Sequence, residues 1–212
     1  MQPEFWQKVW ENNQLGFQLE QPHELLVKHA ARFLPAKVVF VPLCGKSPDL
    51  HFLARQHSVV GAELSPIACH DFFAEAQLPV LQVEQNTFES GAIRLHQGDI
   101  FELSPIHVQH CQHIYDRAAL IALPAELRAK YVQWLQYALP KASVLLLTVV
   151  YPQAERQGPP FSVDVDEIHH LFDRCKIQLI DEQDLTGKGF ARRKLATTSL
   201  VEQAWWIEWD FA

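Results

Sequence analysis

The stretch VVFVPLCGKSPDL, residues 38–50, carries an apolar run into Gly45-Lys46-Ser47, and what that turn can hold decides the fold. A Walker phosphate loop, GxxxxGK[ST], would need its first glycine at position 40, which is Phe40. A dinucleotide fingerprint needs three glycines, and this turn has Gly45 alone. The run before it is continuous and rich in β-branched side chains, which suits a strand buried on both faces. Ser47 is a good N-cap and Pro48 a good first helical residue, so a helix starts directly behind the turn. The unit is strand, tight turn, helix, without the glycines that a diphosphate requires.

Working outward, Phe5, Trp6, Val9 and Trp10 have the spacing of an amphipathic helix over 3–13, and a second helix is expected over 22–34, between Pro22 and Pro35. Downstream the rhythm repeats: strand 58–64, helix 65–76, strand 93–100, strand 110–117, helix 124–139, strand 142–151 and helix 164–175. KIQLIDEQ and LVEQAWWIEW form a closing strand pair. Alternation with short links predicts one α/β domain over 1–212, a doubly wound, mostly parallel sheet with helices on both faces. Residues 1–36 form a helical cap on a Rossmann-like core over 37–212. Such sheets bind ligands across the carboxyl ends of their strands, which gathers Leu43 to Ser47, Glu63 to Ser65, Asp99 to Phe101, and Asp116-Arg117.

The chain has 212 residues, 48% of them hydrophobic and 20% charged, with a formal net charge of -7, and no basic stripe interrupts it. That composition fits one globular domain and speaks against a nucleic-acid groove. Cys44, Cys69, Cys111 and Cys175 include no CxxC pair, so free thiols in a reducing cytoplasm are expected. No basic patch followed by an apolar run opens the chain, and no run approaches membrane-spanning length, so a soluble cytoplasmic protein is expected. His107, His110 and His113 are evenly spaced. On a strand His110 would point away from the other two, and no carboxylate or thiol completes a site, so no metal is expected.

A carboxylate that ends the second strand is where adenosine-binding α/β folds grip a ribose diol, since one carboxylate accepts from two hydroxyls. Glu63, 18 residues after Gly45, is that candidate, and Asp99 after Gly98 is placed to accept from an adenine amino group. A nicotinamide cofactor uses the same carboxylate, but its pyrophosphate wants bare backbone, and Leu43 and Cys44 crowd this turn. S-adenosylmethionine fits better: adenosine for Glu63 and Asp99, and an amino-acid tail without phosphate.

Through FWxxxW and GF near the N-terminus, VPLCGKS, VVGAELS, GDIF, YDRAALIALP and GPPFSV, the chain resembles the thiopurine S-methyltransferase family along nearly its whole length. The resemblance implies a class I methyltransferase fold. It also implies S-adenosylmethionine-dependent methyl transfer to aromatic or heterocyclic thiols, with selenium and tellurium compounds linked to bacterial relatives. Carried over residue by residue, it implies cofactor contacts at Trp10, Leu43, Glu63 and Arg117, with Phe17, Gly45 and the Asp99-Ile100 pair as further contacts. It places Arg117 and Arg192 near the negative charge of the acceptor, while GPPF, with an adaptable Gly158, two stiff prolines and Phe161, has by its composition the makings of a fixed pocket wall. The chain departs from the family with Gln18 after the GF pair and Pro48-Asp49-Leu50 after the glycine turn, and residues 184–212 match least.

The chemistry asks little of side chains. In-line displacement at a sulfonium needs closeness, alignment and dryness, and a thiopurine thiol arrives largely ionised, so no catalytic acid or base is expected. Trp10 and Phe17 suit a cation through their aromatic faces, although Trp10 would serve equally to dock the first helix, the role expected for Trp6. Two alternatives remain at this level. One is a nicotinamide-dependent oxidoreductase; the other is a non-catalytic S-adenosylmethionine-binding protein that offers an exposed Trp-rich end to a partner. A small-molecule partner and a monomeric chain are expected.

Overall fold

The computed structural model describes residues 3–209. Its helices are Pro3–Glu11 (α1), Glu24–His29 (α2), Pro48–Leu53 (α3), Pro66–Glu75 (α4), Ala125–Ala138 (α5) and Val165–Leu171 (α6). Its strands are Val38–Pro42 (β1), Ser58–Glu63 (β2), Leu81–Glu84 (β3), Thr87–Ser90 (β4), Ile93–Gln97 (β5), His113–Arg117 (β6), Ser143–Val150 (β7), Cys175–Asp184 (β8) and Val201–Trp209 (β9). They form one sheet in the order β3-β4-β5-β2-β1-β6-β7-β9-β8.

β1 pairs in parallel with β2 on one side and β6 on the other, so the chain reverses its winding direction there. The crevice at that switch point is where the ligand of a doubly wound sheet belongs. The continuous apolar run of β1 serves two cores at once, as alternation along a strand demands. Phe40 packs on one face with Val60, Ile114 and Leu146, while Val39 and Val41 pack on the other with Val59, Tyr115 and Leu145.

The differences from the sequence expectation have local causes. The antiparallel β3–β4 hairpin at the sheet edge was not anticipated: Leu81-Gln82-Val83-Glu84 alternates apolar and polar, but the run is only four residues long and its side chains are all exposed, so pairing with β4 and not burial holds it. The second helix is shorter than 22–34, because His23 has extended dihedrals and caps α2 by accepting from the Leu25 amide, and Ala30–Phe33 tightens into a 3-10 turn. β5 stops at Gln97 and β6 starts only at His113, so Asp99 lies beyond its strand end and His107 and His110 lie outside β6. α6 ends at Leu171, four residues early, and the chain turns directly into the long β8–β9 pair.

The Trp-rich end is built inward. Trp205 is buried and donates to Thr148 Oγ1 at 3.0 Å, and Trp209 donates to the Leu139 carbonyl at 2.8 Å and stacks on Phe172. Trp206 packs against Phe33 and His113 beneath Arg32. All three stand on β9, between β7 and β8, with Trp205 buried and Trp206 and Trp209 half-buried against the fold, so the expectation of an exposed aromatic surface for a partner does not hold.

Gly61, at the centre of β2, shows how tightly the cores are filled. A Cβ there would stand 2.4 Å from Leu95 Cδ2 and 2.9 Å from Cys44 Sγ. Gly61→Ala should lower stability by about 1–3 kcal/mol, the usual cost of overpacking. Urea unfolding should show a lower midpoint with an unchanged slope; an unchanged midpoint would mean that β2 has room to shift.

Candidate active site

The turn after β1 is made by two left-handed residues, Leu43 at φ 45° and Gly45 at φ 53°. Leucine is uncommon there, and such outliers persist where surrounding contacts over-determine them. Those contacts are visible. The Cys44 amide donates to the Ala62 carbonyl at 3.0 Å, and Trp10 packs so closely that a Cβ on Gly45 would lie 3.3 Å from its Cζ2. Ser47 then caps α3 by accepting from the Asp49 amide at 3.2 Å.

Glu63 ends β2 facing this turn. Its Oε2 accepts from the Gly45 amide at 2.8 Å and its Oε1 from the Ser65 amide at 2.7 Å. Burial raises its pKa, against the lowering effect of the backbone donors at Ser65, Gly45 and Leu64. A carboxylate oxygen has two lone pairs, so each retains capacity for a ligand hydroxyl. Cys44 shares this environment, and burial first and Glu63 second push its thiol well above the ordinary range, which leaves no thiolate nucleophile in the turn.

Two further carboxylates shape the neighbouring loops. Asp99 Oδ1 accepts from the Phe101 amide at 2.9 Å and caps the 3-10 turn Ile100–Glu102, while the Gly98 amide donates to the Glu63 carbonyl at 2.8 Å. Asp116 is wholly internal: its Oδ2 accepts from the Tyr131 hydroxyl at 2.6 Å and its Oδ1 from the amides of Ala119 and Leu120. These bonds hold the turn in which Ala118 has φ 68°. Arg117 does not pair with Asp116 or Glu63; its Nη2 donates to the Phe17 carbonyl at 2.9 Å and tethers the N-terminal segment to β6.

Around these loops lie two adjoining cavities. The first, about 100 Å³, is lined by Trp6, Trp10, Phe17, Leu43, Gly45, Glu63, Leu64, Ala118, Pro159, Pro160, Phe190 and Arg193, among others. The second, about 430 Å³, shares Trp6, Leu43 and Leu64 and is walled by Asp99, Ile100, Phe101 and Leu127. A recess of about 30 Å³ behind Gly45 is lined by Ser47, Asp49, Tyr115 and Arg117. The second cavity alone has the volume of a small-molecule site.

Of the residues singled out in the sequence, Trp10, Phe17, Leu43, Gly45 and Glu63 meet in the first cavity, Asp99 and Ile100 in the second, and Arg117 in the recess. Arg192 is half exposed, pairs with Glu20 at 3.4 Å and lines a more open polar cleft together with Arg117 and Phe190, outside the first cavity, and Phe161 folds against Gly158 beneath the Arg128 guanidinium. Arg193 and the two prolines of GPPF stand in the wall instead. Trp6 was expected only to dock the helix, yet it lines both cavities and its buried Nε1–H has no partner. Its place four residues before Trp10, one helical turn away on the same face, was the available signal.

A family profile described as thiopurine S-methyltransferase matches residues 1–209. The chain belongs to the thiopurine S-methyltransferase family. Among its relatives, a thiopurine S-methyltransferase of Pseudomonas fluorescens is 42% identical over 98% of this chain and 99% of its own length. One from Xanthomonas campestris pv. campestris (strain 8004) is 44% identical over 99% of this chain and 100% of its own length. The fold is also that of a SAM-dependent methyltransferase from Anabaena variabilis, with a TM-score of 0.71 at 15% identity over 98% of this chain and 94% of that one. A Burkholderia thailandensis 1,6-didemethyltoxoflavin-N1-methyltransferase, solved with S-adenosylhomocysteine, has a TM-score of 0.62 at 12% identity over 98% of this chain and 87% of that one. The family's YDRAALIALP segment is thereby seen as β6 plus the Asp116-anchored turn, and its VPLCGKS segment as the turn stapled by Glu63.

Burial dominates at Asp116 and pushes its pKa up to about 6 despite three donors. The folded chain keeps this proton between about pH 4 and 6, where the unfolded chain has lost it, so the carboxylate lowers stability as pH rises through that window. Asp116→Asn carries no such proton. Its stability relative to the unaltered protein should therefore rise by up to roughly 3 kcal/mol between pH 4 and pH 7, read by urea unfolding. A difference that does not vary with pH would show that Asp116 titrates normally.

Proposed function

We propose that this protein transfers the methyl group of S-adenosylmethionine to the sulfur of an aromatic or heterocyclic thiol, thiopurines included. The observation that carries this reading is the join between an aromatic-walled cavity and a turn that replaces the glycine-rich phosphate loop with Leu43, Cys44 and a single glycine bound to Glu63. The donor set fits such a cofactor. Glu63 has spare lone pairs for ribose hydroxyls, the larger cavity beside Asp99 and Ile100 suits adenine, and Arg117 offers a guanidinium to a carboxylate in the recess behind Gly45. Trp6 brings an unpartnered N–H, and Trp10 and Phe17 meet edge to face at 5.8 Å beside the turn, presenting ring surface to a cation.

When bound, the cofactor supplies a methyl group activated by a sulfonium. The protein's own contribution is positioning and the exclusion of water. Among the described residues lining the first cavity, Glu63 and Arg193 alone carry charge, and both Glu63 oxygens are tied to backbone amides. With its remaining lone pairs committed to the ribose hydroxyls, Glu63 is not the base for an acceptor, so the acceptor has to arrive ionised, and Arg193 is the cation beside it. Softer selenium and tellurium nucleophiles fall within the same chemistry. The whole chain is taken as one methyltransferase domain, with residues 1–36 as its cap, acting as a cytoplasmic monomer. Its net charge of -7 favours small-molecule acceptors over nucleic acid. No helix among the described residues is long and apolar enough to cross a membrane.

Two measurements test this. Glu63→Gln keeps the size of the side chain but turns an amide N–H toward one of two backbone donors and weakens acceptance from hydroxyls. With charge-assisted bonds at roughly 1.5–3 kcal/mol, affinity for S-adenosylhomocysteine by calorimetry should fall at least about tenfold. Unchanged affinity would place the ribose elsewhere. With labelled cofactor and matched thiol, phenol and amine versions of one ring, only the thiol should be methylated well. Comparable rates on the phenol or amine would reveal a base.

A further inference from the structure

Beyond Asp99 lies a third cavity, of about 300 Å³, which shares Ala62, Gly98 and Asp99 with the second and opens between the β3–β4 hairpin and the loop after β5. Its character is different. Where the first two cavities are walled by aromatic and aliphatic side chains, this cleft is lined by Glu84 from the hairpin, Glu102 from the 3-10 turn, and the imidazoles of His96 and His107, with no Lys or Arg. Neither Glu84 nor Glu102 forms an ion pair among the described residues. Arg94, whose charge reaches His96, is already paired with Glu89 and does not line the cleft. A recess lined by charge of one sign concentrates ions of the other.

His96 adds an independent observation. The residue is only 5% exposed, its Nδ1 lies 3.1 Å from Thr87 Oγ1, its ring centroid lies 4.6 Å from that of His107, and its Nε2 is buried with no hydrogen-bond partner. Burial first, and His107 second, lower its pKa to about 4, so the ring is neutral at pH 7. With Nδ1 donating to Thr87, Nε2 is a bare lone pair in need of a donor. Buried polar atoms left so are uncommon and costly. The occupant that relieves both features brings positive charge and an N–H together. A metal ion does not fit, because no three His, Cys, Asp or Glu among the described residues stand where they could hold one; the cation is larger. We infer that this cleft binds a linear polyamine, whose ammonium groups pair with Glu84 and Glu102 and whose N–H donates to His96 Nε2. Charge-assisted bonds to two carboxylates from separate segments call for more than one ammonium, and the volume is that of a small-molecule site.

The probe is spermidine, titrated by calorimetry into the full chain at about 0.15 M salt, where general attraction to a net charge of -7 is screened. It should bind at one site. Replacing both carboxylates, Glu84→Gln with Glu102→Gln, should weaken binding at least tenfold, whereas Asp166→Asn with Asp173→Asn, which removes the same charge from the exposed surface at α6, should leave it within twofold. Urea midpoints verify that each variant is folded. His96 reports separately: in the unaltered protein its Nε2 resonance in nitrogen-15 spectra should move as spermidine is added, a readout that needs no substitution in the core. Several equivalent weak sites, an affinity that survives the loss of Glu84 and Glu102, equal losses in the two double variants, or a His96 resonance that stays in place would each overturn the assignment. No turnover enters these measurements, so the cleft stands or falls apart from the thiol reading.

Discussion

The site depends on one buried carboxylate that closes a loop against a strand end. Glu63 takes the Gly45 amide with one oxygen and the Ser65 amide with the other, so a single side chain joins the turn after β1 to the start of α4. The parallel register of β1 on β2 makes this possible, because Pro42 lies opposite Ala62 and the two strands end side by side. The same strand end receives the Gly98 amide on the Glu63 carbonyl, which draws in the loop after β5. Without this bridge the Gly45 amide would be left unpaired, and the turn would rest on the Cys44–Ala62 backbone bond and the packing of Trp10 alone. A residue first suggested by a ribose diol is thus also what builds the place where the diol would sit.

Much of this was legible because it rests on local rules. The β-branched run at 38–42 and the Ser-Pro pairs at 47–48 and 65–66 name a strand and two helix starts, and all three stand where those residues put them. The carboxylate at 63 could be found from its spacing and its position at a strand end. Other features depend on contacts made across the fold. β3 is an edge strand with four exposed side chains, held by pairing with β4 and not by burial. The choice between Arg192 and Arg193 turns on which side of an irregular segment faces Gly16 and Pro159. The segment from 186 to 198 has only an isolated bridge between Phe190 and Arg193, so no periodicity assigns its faces.

Removing chemistry from the side chains places the demand on the walls. Three segments that are distant in sequence meet there: the N-terminal segment through Trp6, Trp10 and Phe17, the GPPF loop, and the stretch around Phe190 and Arg193. Each is fastened by a specific bond. Arg117 holds the Phe17 carbonyl, the Arg192 amide donates to the Gly16 carbonyl, and the Phe161 amide donates to the Ile121 carbonyl. An apolar enclosure raises the strength of every charge inside it, so on the proposed reading Arg193 would act more strongly on an anionic acceptor there than it would in water.

The cap is joined to the sheet by polar groups buried behind the turn, which explains how a short helical segment can be a fixed wall. Asp49 accepts from the His23 amide at 2.7 Å and from the Tyr115 hydroxyl at 3.0 Å, and His23 Nε2 lies 3.1 Å from Glu202. The Leu25 amide donates to His23 Nδ1, so the neutral ring carries its proton on Nε2 and donates it to Glu202. Tyr115 is held protonated chiefly by burial and next by Asp49, as its donor role requires. A network of this kind stabilises when every member is satisfied and is costly when one is not. It therefore favours a single seating of the cap, with the start of α2 tied to α3, β6 and β9 at once. That seating carries Gln18 onto the Lys46 carbonyl and Phe17 onto Arg117, which places the aromatic wall over the turn.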